Sequence, residues 1–213
     1  MHSLGKSMLN DFAMMVMWPF IQMFLIQIHY ATSFWRKIGG WTYFVVFLEW
    51  LPIAYTLYSS QPAILQYEIT VALPLPVLGV AAIAAGIALH SWTAKILGIK
   101  ATISYTELKP ETAEKAKSLI TSGPFSVVRH PSYWTHTSIL TGTFLITGII
   151  TVGIITLIDL SITYFVTTEL EDHELTERFG SQYREYTEKV PKFFSKLRWK
   201  DNNKTKGEND ELR

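Results

Sequence analysis

Thirty-six consecutive residues, 133 to 168, carry one charged side chain, Asp159. As a straight helix at 1.5 Å per residue, such a run would reach about 54 Å, nearly twice the roughly 30 Å of a bilayer's hydrocarbon core. The run is therefore expected to fold back on itself as two membrane crossings, with the turn at Thr147-Gly148.

Three further stretches, 12–30, 41–58 and 69–92, are long and apolar enough to cross. That gives about five transmembrane helices. Charged residues make up 17% of the chain, against roughly 25% in a soluble domain, and residues 12 to 35 contain none. A disordered chain is excluded, because so much apolar surface has to be hidden. The fold expected is all-α and polytopic, ending in a helical hairpin followed by an amphipathic helix on the cytoplasmic side.

Lys and Arg accumulate in short cytoplasmic loops. The segment before the first span has Lys6 alone, the first loop Arg36 and Lys37, the second loop (59–68) none, and the third (95–131) six. The hairpin turn has none, and the remaining ten of the 19 follow the fifth span. This alternation predicts an integral membrane protein with its N-terminus outside and its C-terminus in the cytoplasm. The first segment is read as a retained helix, since no small-x-small cleavage pattern ends it. Pro19, Pro52, Pro74 and Pro76 are expected to kink spans. The chain divides into a three-helix membrane region (1–92), a region carrying the chemistry (93–199) and a disordered tail (200–213), with Phe193, Phe194 and Trp199 as interfacial anchors.

There is no cysteine, so thiolate nucleophiles and Cys-ligated metals are excluded. The six histidines lack metal-site spacing, no GxGxxG or Walker loop is present, and a net charge of +1 gives no reason to expect nucleic acid. No metal is expected.

Two segments bring chemistry to one membrane face. Gly123-Pro124-Phe125 leads through Arg129-His130-Pro131-Ser132-Tyr133 into the fourth span. His130 precedes a proline and is pushed away from helix, while Pro131 suits the first helical position. Free N–H groups at that helix start favour an anion, and Arg129 can grip a carboxylate or phosphate. On the residues alone, an interfacial Arg beside a backbone-bonded His explains the run equally well. The second segment, leaving the fifth span, has Glu169, Glu171, Asp172 and Glu174. Acids at a helix C-terminus oppose its dipole and invite a cation; a helix continuing to Phe179 would make them a solvated face instead. Glu49 and Asp159 lie mid-span without an assignable partner, and His90 and His136 lie near span ends. Phe179, Tyr183 and Tyr186 share a face at i, i+4 and i+7, the pattern of a surface helix roofing the hairpin.

These residues together, Gly-Pro-Phe-x3-Arg-His-Pro-x-Tyr, a hairpin-length apolar run, Glu171-Asp172, Leu175, Phe179-Gly180, Tyr183 and Tyr186, resemble the isoprenylcysteine carboxyl methyltransferase and phospholipid methyltransferase superfamily over about residues 117 to 194. The resemblance implies an integral membrane enzyme that uses S-adenosyl-L-methionine and takes a lipid-like methyl acceptor from the bilayer. It puts Leu119, Phe125, His130, Pro131, Ser132 and Tyr133 against the cofactor, gives Glu171 its positive end, and makes Arg129 and Asp172 catalytic, Arg129 orienting an anionic group and Asp172 or Glu174 taking the departing proton. Relatives acting on prenylcysteine usually carry an Arg where this chain has Thr167, so an amine or weakly charged headgroup is expected rather than a carboxylate. The alternatives are an NADPH-dependent sterol or enone reductase, which usually has Asn where this chain has Ser132, and a non-catalytic carrier.

Overall fold

The computed structural model describes residues 2–104, 108–109 and 118–193. The expected tail, Phe194 and Trp199 lie outside them. Helix α1 (His2–Tyr30) is followed by short α2 (Thr32–Ile38), α3 (Thr42–Ser59), a single turn α4 (Gln61–Ile64), α5 (Leu75–Leu97), a single turn α6 (Ile99–Thr102), α7 (Pro131–Thr147), α8 (Ile150–Ile162), α9 (Thr168–Phe179) and α10 (Ser181–Lys189). The described residues form no named strand, only an isolated bridge between Glu68 and Ile149.

The hairpin forms where the sequence places it. Helix α7 ends at Thr147, and Gly148 caps it in the left-handed region at φ 70°. A Cβ there would lie 2.2 Å from the Ile69 carbonyl, so glycine is required for space as well as for conformation. The extended segment before α5 holds the turn: Ile69 N–H donates to Gly148 O and Ile150 N–H to Tyr67 O.

A wide π turn, Thr163–Thr167, joins α8 to α9, so the second arm of the hairpin and the acidic segment after it are one helix from Ile150 to Phe179. At about 45 Å it is longer than a hydrocarbon core of about 30 Å, and the acids lie in its last three turns. The acids therefore do not sit at a helix C-terminus. This helix and α5 are long and apolar enough to cross a membrane. Outward faces of α3, α5, α8 and the turn after it expose Phe47, Leu51, Val77, Val80, Leu157 and Phe165, surface suited to lipid.

Two proline expectations are corrected. Pro74 is the N-cap of α5 and Pro76 lies in its first turn, so neither kinks a span; a proline there has no intrahelical N–H bond to lose. Pro19 and Pro52 do lie inside helices. Near Pro19, Trp50 Nε1–H of α3 donates to Val16 O at 2.7 Å, satisfying a carbonyl where proline loosens the ladder.

Helices α5 and α7 pack through glycines. A Cβ on Gly79 would meet Gly142 O at 2.6 Å, and one on Gly142 would meet Gly79 O at 2.5 Å. Two backbones approach this closely only where both side chains are absent. The remaining core comprises Phe24, Ile28, Trp35, Val46 and Leu108 around α1 to α3, and Met15, Leu65, Ile149 and Val152 under the hairpin turn.

Helix α10 is not the surface helix expected. Gly180, at φ 56°, breaks the chain between α9 and α10, so Phe179 belongs to a different helix from Tyr183 and Tyr186. Both tyrosines are buried and pack with Val190, Leu119, Leu175 and Phe179. The periodicity found the right face, and the glycine turns it inward.

Candidate active site

Gly123–Ser126 forms a single 3-10 turn, opened by Gly123 at φ 61° and closed by Ser126 Oγ–H donating to Gly123 O. The chain then runs extended past Arg129 and His130 into α7, whose first residue is Pro131. A second segment holds it there: Arg129 N–H donates to Pro191 O at 2.9 Å and His130 N–H to Lys192 O at 3.4 Å. The residues after α10 thus form a strap across the mouth of α7.

Both ring nitrogens of His130 meet acids from α9, Nδ1 with Glu171 Oε2 at 2.9 Å and Nε2 with Asp172 Oδ1 at 2.7 Å. Its side chain is only 2% exposed. Burial alone would lower its pKa; the Glu171 charge and the hydrogen bonds to Asp172 and Glu171 outweigh that and raise it to about 9. Burial likewise works against ionised Glu171 and Asp172, yet His130 holds each down at about 2. At neutral pH the three form an imidazolium between two carboxylates.

Asp172 has further partners. Arg129 Nη1–H donates to its Oδ2 at 3.0 Å, Tyr183 O–H donates to Oδ1, and Lys192 Nζ lies 3.5 Å from Oδ2. Lys192 also pairs with Glu169. Tyr186 O–H donates to the Phe125 carbonyl at 2.6 Å, fixing the 3-10 turn against α10. Glu174 is buried between Arg36 of α2, at 3.3 Å, and Arg178, at 3.4 Å. Glu171, Asp172 and Glu174 are thus buried or half-buried in ion pairs, and of the four acids Glu169 alone is exposed.

Beside this cluster lies a cavity of about 740 Å³, within the usual range of about 300–1,000 Å³ for small-molecule sites. Of the residues singled out from sequence, Leu119, Phe125, Arg129, His130, Ser132, Tyr133 and Glu171 line it, as do Leu175, Phe179, Tyr183 and Tyr186; Pro131 and Asp172 do not. Asp172 stands behind Arg129 and His130. The walls also include residues with no local signal in the sequence, Phe20, Phe24 and His29 from α1, Tyr43 from α3, Ile87 from α5, Thr135 from α7 and Arg178 from α9, together with His90 of α5 and His136 of α7, the two histidines noted near span ends. The cavity thus draws on both sides of residue 92. One end is charged and the other, under α1, α3 and α5, is apolar. Thr167 is fully buried and donates to Gln22 Oε1 of α1, so this position does not face the cavity.

The two mid-span acids do have partners. Glu49 accepts from Gln27 Nε2 at 2.6 Å, and Asp159 accepts from Trp18, Gln22 and Thr137 and meets His136. Among the described residues no group of three or more His, Asp or Glu side chains is arranged to hold a metal ion.

The charged cluster at the end of the apolar helical hairpin thus stands beside a cavity whose other end is apolar. The phospholipid methyltransferase family model matches residues 75–182, just over half of the chain, and the chain belongs to that family. It is also similar to the nickel-cobalt-cadmium resistance protein NccN of Alcaligenes xylosoxydans xylosoxydans, 30% identical over 86 residues, which cover 40% of each chain. The chain thus spans two fifths of the length of that curated relative. No solved structure matches it.

Proposed function

We propose that the protein is an S-adenosyl-L-methionine-dependent methyltransferase whose acceptor is the amine headgroup of a membrane lipid. The observation that carries this reading is the cavity whose polar end presents Arg129, His130 and Glu171 and whose other end is apolar. Bound there, the cofactor supplies a methyl group activated on a sulfonium. The residues fit such a zwitterion. Arg129 Nε is buried without a hydrogen-bond partner and is a donor available to a carboxylate. Glu171 keeps a quarter of its side chain exposed and offers negative charge to a cation. Leu119 and Phe125 supply apolar wall.

The roles of the chain's own residues follow from these contacts. Asp172, ionised and bonded by three neighbours, orients Arg129 and His130; a carboxylate titrating at about 2 is a poor proton acceptor, and its role is to hold charge. His130 keeps Glu171 and Asp172 ionised. The buried tyrosines and the strap exclude water, so that transfer depends on positioning two bound partners. Five crossings, with the N-terminus outside and the charged pocket cytoplasmic, best accommodate the helices and the Lys and Arg distribution.

Thermal unfolding in detergent tests the reading: S-adenosyl-L-methionine or its demethylated product should raise the midpoint, because each would bind the folded state. NADPH should not. Stabilisation by NADPH alone would overturn the reading in favour of a reductase. Lipid extracts incubated with methyl-labelled cofactor should yield labelled headgroups by mass spectrometry.

A further inference from the structure

Asp159, in the last turn of α8, is completely buried. It accepts hydrogen bonds from Trp18 Nε1 at 2.6 Å, Gln22 Nε2 at 2.6 Å and Thr137 Oγ1 at 2.7 Å, bringing α1 and α7 together on one carboxylate. Those three donors are neutral. A carboxylate at this depth is costly, and such groups mark functional sites. The fourth neighbour is His136, whose Nδ1 lies 3.2 Å from Asp159 Oδ1. With Nδ1–H directed at Asp159, the tautomer inferred from that partner leaves Nε2 as the acceptor. No partner within the protein takes up Nε2 among the described contacts. His136 lines the cavity, with 19% of its side chain exposed.

Its position along α7 is informative. His130, Tyr133 and His136 follow one another at three-residue steps on one face, with adjacent ring centroids 5.8 Å apart. His136 therefore lies about 9 Å deeper than the charged mouth, on the wall shared with the apolar half of the cavity. Beside it, Thr135 Oγ1 is buried without a hydrogen-bond partner.

We propose that His136 is the proton acceptor for the lipid headgroup, with Asp159 as the residue that positions it. The proposal rests on the methyltransferase reading. An alkylammonium headgroup has no lone pair and cannot be methylated; its N–H proton must leave first. His136 Nε2 takes that proton, becoming an imidazolium that Asp159 stabilises through Nδ1–H. The freed nitrogen lone pair then forms the N–CH3 bond as the C–S bond of the sulfonium donor breaks, its electron pair staying on sulfur. A neutral thioether and a methylated ammonium result. Other groups on the cavity wall are less suited. Glu171 is held ionised by His130 and is a weak base. His29 and His90 hydrogen-bond no carboxylate among the described residues.

The experiment compares two acceptors in nanodiscs, an ethanolamine-headgroup phospholipid and an analogue with a fluorinated ethanolamine whose amine is already neutral at pH 7. Loss of a general base costs on the order of 10²–10⁴-fold. H136Q should lose that much on the ordinary headgroup and little on the fluorinated one, while the demethylated cofactor product still raises its unfolding midpoint as in the parent. His136→Asn, run in parallel, carries the same expectation if the longer amide disturbs folding. Asp159→Asn should lower kcat on the ordinary headgroup alone, with the acceptor KM unchanged. An H136Q variant as active as the parent on the ordinary headgroup, or one losing equally on both, overturns the proposal, as does a selective loss appearing in H29Q instead. A parent inert toward both lipids overturns the methyltransferase reading and this proposal with it.

Discussion

The His130 cluster makes stability depend on pH in a way that can be calculated. His130 lies outside the membrane-spanning part of α7, is nearly fully buried, and has its pKa raised from 6.5 to about 9. A group whose folded pKa exceeds its unfolded value contributes stability that is fully present below the unfolded value, here 6.5, and is lost as pH rises through about 9. A rise of that size corresponds to about 3 kcal/mol. The same interaction is seen from the other side in Glu171 and Asp172, so their lowered values are not added to it. Those carboxylates set the acid limit: their contribution is present above their unfolded pKa values and lost as pH falls through about 2. The perturbation is His130→Gln, which keeps polar atoms near both acids but cannot be charged. Chains of this size shift by roughly 2–4 °C per kcal/mol. The variant in detergent should therefore unfold about 6–12 °C below the parent at pH 6, and the two curves should converge between pH 7 and 10. A constant gap across that range, or a parent whose midpoint is flat up to pH 10 while lysine titration is controlled for, would refute the argument that His130 is an imidazolium in the folded protein.

Arg129→Ala and Glu171→Ala should each abolish methyl transfer while leaving the protein inserted, and Arg129→Lys should not restore it, because an ammonium cannot supply the Nε–H and Nη1–H pair; radiolabel incorporation into lipid checks all three. Gly142→Ala places a methyl 2.5 Å from Gly79 O and 2.6 Å from Ile83 Cγ1, and because backbone is in the way the helices must separate, at about 1–3 kcal/mol; a lowered unfolding midpoint is expected, and an unchanged one would mean that α5 and α7 do not touch. Tyr186→Phe removes the bond to the Phe125 carbonyl and should lower stability by about 1 kcal/mol, with weakened binding of the demethylated cofactor in calorimetry. Arg36→Ala should lower stability by less than about 1 kcal/mol, since Arg36 is partly exposed and Arg178 still pairs with Glu174.

Much of the architecture was legible because it follows from length and charge. The run from 133 to 168 is too long for one crossing, Gly148 is the residue able to turn it, and Pro131 marks where α7 begins. What local pattern could not give was the identity of neighbours. Asp159 and Glu49 looked unpartnered because their donors, Trp18, Gln22 and Gln27, are on α1, far away in sequence and neutral. The acids of α9 could be read either as a cation site or as a solvated face, because two of their counter-charges, Arg36 and Lys192, come from opposite ends of the chain. In α10 the aromatic periodicity was real, but Gly180 redirects the helix, and whether an apolar face meets lipid or protein is decided by that turn. Of the nine cofactor and catalytic residues that the family resemblance implied, seven line the cavity and two, Pro131 and Asp172, support the wall from behind.

The strap has a consequence for how the protein comes into being. Residues 191 and 192 supply the carbonyls that tether Arg129 and His130, and the Lys192 amine balances the acids, so the pocket is completed by some of the last described residues to be synthesised. During translation, all the crossings can insert while the charge cluster is still short of a cation and its loop untied. Released chains truncated after residue 190 should therefore be correctly threaded through the bilayer yet lack the tether on Arg129 and His130, which makes completion of the chain, rather than insertion, the moment at which the pocket closes.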